Sequence, residues 1–127
     1  FTVATLTGAA MRALGAQGIA AMQQKAEAQA AALEQAGEAT HERLCFFPMW
    51  KEYEEELKSD IADIKNCGSG TAGMITAAKF ITHFAKEMPL IHLDIAGVAS
   101  VKKPLKPYGT SATGIGVRLL TEYLRNA

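Results

Sequence analysis

Leu90-Ile91-His92-Leu93-Asp94-Ile95-Ala96-Gly97-Val98 is the stretch that decides the fold. Ile91, Leu93 and Ile95 recur with the period of two that marks a strand with a buried face, and Val98 follows the glycine. Upstream of it, Met74 to Lys86 reads as a helix, preceded by the flexible loop Gly68-Ser69-Gly70-Thr71-Ala72-Gly73. Downstream lie a proline and lysine loop from Lys102 to Tyr108 and a last helix from Thr113 or Gly114 to Leu124. Val117, Leu120, Tyr123 and Leu124 form the apolar stripe of that helix. Further towards the start, Phe1 to Leu6 mixes β-branched and aromatic residues and reads as a buried strand, followed by a short helix from Ala9 to Leu14. Gly18 to Met22 is a second strand, placed by its position between helical segments, since alanine is a poor strand former. Gln23 to Ala39 is an alanine-rich helix that must pack closely through small side chains. After a break at Cys45 to Pro48, Trp50, Tyr53 and Leu57 give Met49 to Leu57 one apolar helix face. Ser59 to Asn66, with Ile61 and Ile64, reads as a short strand. Strands alternating with helices predict an α/β chain: a three-layer α/β/α sandwich, part of a mixed sheet flanked by helices.

Composition narrows the function classes. The 127 residues carry 13 basic and 13 acidic side chains, and the basic ones are scattered except for Lys102, Lys103 and Lys106. Nucleic acid is not an expected partner, because phosphate binding needs clustered Lys and Arg. No apolar run approaches the roughly 18 residues of a membrane span, so the protein is expected to be soluble, without a membrane partner. Cys45 and Cys67 lack CxxC spacing, which excludes a zinc ribbon or thioredoxin-type motif; both are expected to be buried. The chain opens on the apolar-rich run Phe1-Thr2-Val3-Ala4-Thr5-Leu6, where a terminus is usually polar and frayed. It is therefore expected to begin inside a larger fold.

Three constellations invite chemistry. Gly68 to Gly73 satisfies GxGxxG between an expected strand and a helix, with Asp94 near the spacing of a ribose-binding acid. Against a dinucleotide site, the preceding segment carries Asp60, Asp63 and Lys65, where such a fold wants a buried apolar strand. His92 and Asp94 share one face of their strand and read as a structural pair, while His41, His83, Asp60 and Asp63 show no metal-ligand spacing. Small residues fill three turns, Thr5-Leu6-Thr7-Gly8, Ala96-Gly97-Val98-Ala99 and Thr113-Gly114-Ile115-Gly116, and the first two follow strands, where open α/β sheets bind ligands.

Six blocks taken in order decide among these. They are Ala4 to Ala9, Ala13-Leu14-Gly15, Ser59 to Asn66, Ile75 to Phe80, His92-Leu93-Asp94-Ile95-Ala96-Gly97, and Thr113-Gly114 with Val117 to Leu120. Together they resemble the C-terminal part of the catalytic domain of the leucyl (cytosol) aminopeptidase family. The resemblance implies that residues 1–127 are the C-terminal portion of a metalloaminopeptidase catalytic domain that removes N-terminal amino acids from peptides. It implies two divalent metal ions, zinc, manganese or magnesium, whose ligands lie upstream, so that no metal ligand and no catalytic residue falls in this chain. It also implies peptide substrates, a hexameric homo-oligomer and a cytoplasmic location. Thr5, Leu6 and Gly8 match the family's substrate-contacting turn, and Ala96 and Ala99 match the opposite wall of the first side-chain pocket. Three departures stand out: Ala99 where the family often has a larger residue such as methionine, which implies a roomier pocket; Cys45 and Leu90 where tryptophans are common; and Ser111 in place of a glycine, read as a packing change. The alternatives are a non-catalytic assembly module and, more remotely, a nucleotide-binding domain.

Overall fold

The computed structural model describes residues 1–105 and 109–127, the side chains of residues 102–110 excepted. Its main sheet has four strands in the order β1-β4-β2-β3, with β1 Thr2–Ala4, β2 Ile19–Gln24, β3 Leu44–Phe46 and β4 Leu90–Asp94. β1 is parallel to β4 and β3 to β2, while β4 and β2 run antiparallel, which makes the sheet mixed. Helices α1 Gly8–Leu14 and α3 Gly73–Ala85 cover one face; α2 Glu27–Thr40 and α4 Val117–Arg125 cover the other. This is the three-layer α/β/α sandwich that the alternation of elements predicts.

Side chains of the two inner strands alternate between two buried faces. Ile19 and Ala21 of β2 join Ile91 and Leu93 of β4 beneath α2 and α4, whereas Ala20 and Met22 pack towards α1 and α3. Each of Ile19, Ala20, Ala21 and Met22 is at most 1% exposed. Alanine propagates strands poorly on its own, yet here helices crowd the sheet from both sides and small side chains let the layers approach. Packing overrides propensity. α2 starts at Glu27 rather than Gln23, because Gln23 and Gln24 continue the ladder opposite Ile91 and Leu90 and Lys25 turns the chain with φ of 51°.

Several expectations are corrected. The break at Cys45 to Pro48 contains β3, an edge strand whose pairing with Ala20 and Ala21 comes from tertiary context. Lys51–Leu57 is a 3₁₀ helix rather than an α-helix; its three-residue turn brings Trp50 over Tyr53, stacked at 6.0 Å, and leaves Trp50 exposed. Residues 59–66 form bends, not a strand. Ser59 Oγ accepts from the N–H groups of Ile61 and Ala62, a local alternative to a ladder, and Ile61 is 98% exposed. β4 ends at Asp94, before Val98. Part of the expected lysine loop is β5 Ser100–Leu105, antiparallel to β6 Gly109–Ala112; residues 106–108 of that loop lie outside the described residues. Cys45 and Cys67 are both exposed, one on an edge strand and one in a loop, so neither is the buried apolar residue expected.

Ser111 is a backbone matter rather than a packing change. It holds φ of 77°, a conformation that costs an L-residue roughly 1–2 kcal/mol and costs glycine almost nothing. Ser111→Gly is expected to stabilise the protein by about 0.5–1 kcal/mol, after the added freedom of the unfolded chain is subtracted. A urea melt checks this, and Ser111→Ala, which keeps the Cβ, should give no gain.

Candidate functional site

β1 and β4 are parallel, with Ala4 opposite Asp94, so the turns that leave their carboxyl ends lie side by side. Thr5, Leu6 and Gly8 occupy the first turn; Ala96 and Ala99 occupy the second. All five residues singled out in the sequence thus lie on two adjacent turns. Thr5, Leu6 and Gly8 are exposed, and Ala96 and Ala99 are half-buried.

Asp94, 1% exposed, joins the two turns. Its Oδ1 accepts from the N–H groups of Leu6 at 3.1 Å, Thr7 at 3.4 Å and Ala96 at 3.1 Å. Its Oδ2 accepts the Thr7 hydroxyl at 2.6 Å. Thr7 Oγ1 in turn accepts from Ala10 N–H at 3.1 Å and so caps the start of α1. A buried carboxylate is tolerated when hydrogen bonds satisfy its lone pairs, and these four do so. Sequence periodicity pairs Asp94 with His92, and the two do share a face; their hydrogen bonds, however, go elsewhere. His92 is fully buried and its Nδ1 meets Thr2 Oγ1 at 2.9 Å, while Nε2 has no partner among the described residues. Burial pushes the imidazole below its ordinary value, against the opposing pull of the Asp94 charge and the contact with Thr2.

The second turn is fixed from three sides. Ile95 N–H donates to Ala4 C=O at 2.9 Å, and the Ile95 carbonyl accepts from the N–H groups of Val98 and Ala99. Thr113 donates its N–H to the Ala99 carbonyl at 3.0 Å and its hydroxyl to the Val98 carbonyl at 2.7 Å. Gly97 lies so close to α1 that a Cβ there would sit 2.1 Å from the Gly15 carbonyl oxygen. Thr113, Gly97 and Gly15 fix the second turn, and their trace in the sequence is the recurrence of small residues in three separate blocks. Leu6 and Gly8 also border a cavity of about 330 Å³ shared with Arg12, Leu57 and Cys67. Ala96 and Ala99 do not border it.

The glycine loop is spoken for from within. Glu56 Oε2 accepts Ser69 N–H at 2.9 Å and Ser69 Oγ at 2.7 Å, and Oε1 accepts Thr71 Oγ1 at 3.2 Å. A carboxylate stands where a pyrophosphate would need those donors, among the described residues no strand leads directly into the loop, and Asp94 is engaged with Leu6, Thr7 and Ala96. The geometry therefore does not support dinucleotide binding. These bonds, chiefly the Ser69 N–H, hold the Glu56 carboxyl below its ordinary value of 4.5. A depressed folded value means that the loop contacts are intact above about pH 4.5 and are lost as pH falls through the lowered value. The Ser69 amide proton shift, followed by NMR, should titrate below pH 4.5, and Glu56→Gln should remove that titration.

Among the described residues no three His, Cys, Asp or Glu side chains converge to hold a metal ion. The residues present do not fit a dinuclear metal centre.

Comparison with known proteins places this arrangement. The catalytic-domain profile of the cytosol aminopeptidase family matches residues 1–121. The chain belongs to that family. Relatives of the cytosol aminopeptidase family include a probable cytosol aminopeptidase of Geobacter sulfurreducens, 50% identical over 125 residues that make up 97% of this chain and 25% of the relative. Another, from Protochlamydia amoebophila, is 45% identical over 124 residues, again 97% of this chain and 25% of the relative. Among solved structures, a mutant of tomato leucine aminopeptidase superposes with a TM-score of 0.89 at 36% identity, covering 98% of this chain and 24% of that one. The chain thus spans about a quarter of the length of the curated cytosol aminopeptidases it matches.

Proposed function

We propose that these residues are the C-terminal part of the catalytic domain of a metal-dependent leucyl aminopeptidase, which removes N-terminal amino acids from peptides. In this reading Thr5, Leu6 and Gly8 hold the substrate main chain and one side of its first side-chain pocket, and Ala96 and Ala99 form the other side. The observation that carries it is the joining of the two turns through Asp94 at the carboxyl ends of paired parallel strands, in a chain of this family. The metal ions, zinc, manganese or magnesium, belong to residues of the intact enzyme outside this chain. They would supply an activated water and a polarised carbonyl. The chain's own part is to orient the substrate. The intact enzyme is a cytoplasmic homo-oligomer, hexameric as the family resemblance implies.

The test is an assay with a leucyl chromogenic substrate and manganese, run on the intact enzyme and on the 127-residue chain alone. The intact enzyme should turn over and the isolated chain should not. Turnover by the isolated chain at the intact rate would place the catalytic centre within it and overturn the reading. A second reading, a module whose main role is assembly, draws on the edge position of β1, which has β4 as its one strand neighbour among the described residues and leaves Phe1 and Val3 exposed. Sedimentation of the chain with and without the rest of the enzyme separates the two.

A further inference from the structure

We infer that Asp94 is a positioning residue that sets the separation of the two pocket walls, and through it the choice of N-terminal side chain. The inference rests on the pocket reading above and goes beyond it. The β1–β4 ladder ends where Ile95 N–H meets the Ala4 carbonyl. Past that point, among the described residues, no backbone hydrogen bond joins residues 5–8 to residues 96–99. Among the described residues, the hydrogen bonds that bridge the two turns all run to one side chain. Asp94 Oδ1 is a single acceptor shared by Leu6 and Thr7 from one wall and Ala96 from the other, at 3.1, 3.4 and 3.1 Å. The two walls therefore share one atom as their reference.

A carboxylate suits this task better than more ladder. Backbone pairing would consume carbonyl and N–H groups alike, whereas the carboxylate takes N–H groups and leaves the carbonyl oxygens of the turns to other partners. Its charge makes it a stronger acceptor than a carbonyl oxygen. The Thr7 hydroxyl, at 2.6 Å from Oδ2, fixes the carboxylate's rotation, and Thr7 is itself held by Ala10 N–H at the start of α1. The carboxylate plane is thereby referred to a helix as well as to the sheet. The second wall has its own supports at Gly97 and Thr113, so loss of the carboxylate would shift one wall relative to the other rather than melt both.

The experiment uses the intact enzyme, with leucyl, alanyl and phenylalanyl chromogenic substrates and active-site titration. Asp94→Asn keeps size and the Oδ1 acceptor but loses the charge and places an NH₂ where the Thr7 proton must go. Expected is a rise in KM of roughly tenfold for the leucyl substrate, the size of one weakened charge-assisted hydrogen bond. The leucyl preference over alanyl should shrink, and kcat per active site should change much less. A purely structural role would lower the melting temperature and the active fraction while leaving KM and the substrate ranking per active site as in the wild type; that result overturns the inference. If Asp94→Asn does not assemble, Thr7→Val and Thr7→Ser carry the test. The valine should reproduce the KM rise and the serine should restore the wild-type value, and an unchanged KM and ranking in the valine variant overturns the inference equally. Ala99→Met is the control on the pocket reading itself and should disfavour the larger side chains. If it moves the ranking and Asp94→Asn does not, the positioning role alone fails; if Ala99→Met leaves the ranking unmoved, the pocket reading fails.

Discussion

Gly97→Ala is expected to leave little folded, active enzyme. The added Cβ would stand 2.1 Å from the Gly15 carbonyl oxygen and 3.3 Å from Met11 Cα, and both neighbours are backbone. Side chains can turn away from such a contact; these atoms cannot. Gly15 ends α1, with φ of 59° and its N–H bonded to the Met11 carbonyl. On the other side Gly97 lies inside a turn closed by the Ile95 carbonyl and tied to Asp94 through Ala96 N–H. Relief requires moving either α1 or the turn after β4. Overpacking a close-packed site commonly costs 1–3 kcal/mol, and a backbone clash belongs at or beyond the top of that range. A loss of at least about 3 kcal/mol is a large share of the marginal stability of a domain. Soluble yield and the urea midpoint of the intact enzyme check this, and a midpoint within error of wild type would show that α1 retreats at low cost. On the proposed pocket reading, activity should fall further than stability alone dictates, because the turn that must move carries Ala96 and Ala99.

Much of the fold is legible in the sequence because its signals are local and periodic. Ile91 and Leu93 alternate on β4, small residues line the inner face of α2, and each of the four helices has a run that announces it. What the sequence conceals is set by partners far away in the chain. β3 is a strand because Ala20 and Ala21 stand beside it, and residues 59–66 are not one because Ser59 offers their backbone a nearer acceptor. The same division holds at the site. The small-residue turns are visible as motifs, whereas the carboxylate that joins them is a pairing of Asp94 with Leu6 and Thr7 across some ninety positions, which periodicity cannot express. Period two places Asp94 beside His92, while its hydrogen bonds reach the turn after β1. The glycine loop errs in the opposite sense. Its pattern is conspicuous, and only the arrival of Glu56 from the 3₁₀ helix shows that its donors are already taken.

Glu42 gives the second large effect, since it too is a buried carboxylate with no sequence signature. It follows His41, whose φ of 62° ends α2, and is 1% exposed. Oε2 accepts the N–H groups of Gly116 and Leu119, each at 2.9 Å, and Oε1 accepts Arg118 Nε at 3.0 Å. Gly116, which precedes α4, has no side chain with which to cap it, so Glu42, in the link between α2 and β3, supplies the cap from outside. A negative charge at that end is also favoured by the helix dipole. Glu42→Ala leaves two buried N–H groups without an acceptor, at about 1–3 kcal/mol each, and opens a void beside Leu119. The Arg118 side chain, 43% exposed, can rehydrate and so adds less than a buried cation would. A net loss of about 3 kcal/mol is expected, with Glu42→Gln roughly half as costly because its amide oxygen still serves the two N–H groups. Urea melts of the intact enzyme measure the loss, and hydrogen exchange locates it: the Gly116 and Leu119 amides should exchange far faster in Glu42→Ala. The effect should extend to Thr113, which sits just before this helix and whose N–H holds the Ala99 carbonyl. If Gly116 and Leu119 exchange as slowly in the alanine variant as in the wild type, α4 is held by its apolar face alone and the cap contributes little. If Thr113 responds with them, α4 and the turn that carries Ala96 and Ala99 are one mechanical unit, anchored by a glutamate on the opposite face of the sheet from α1.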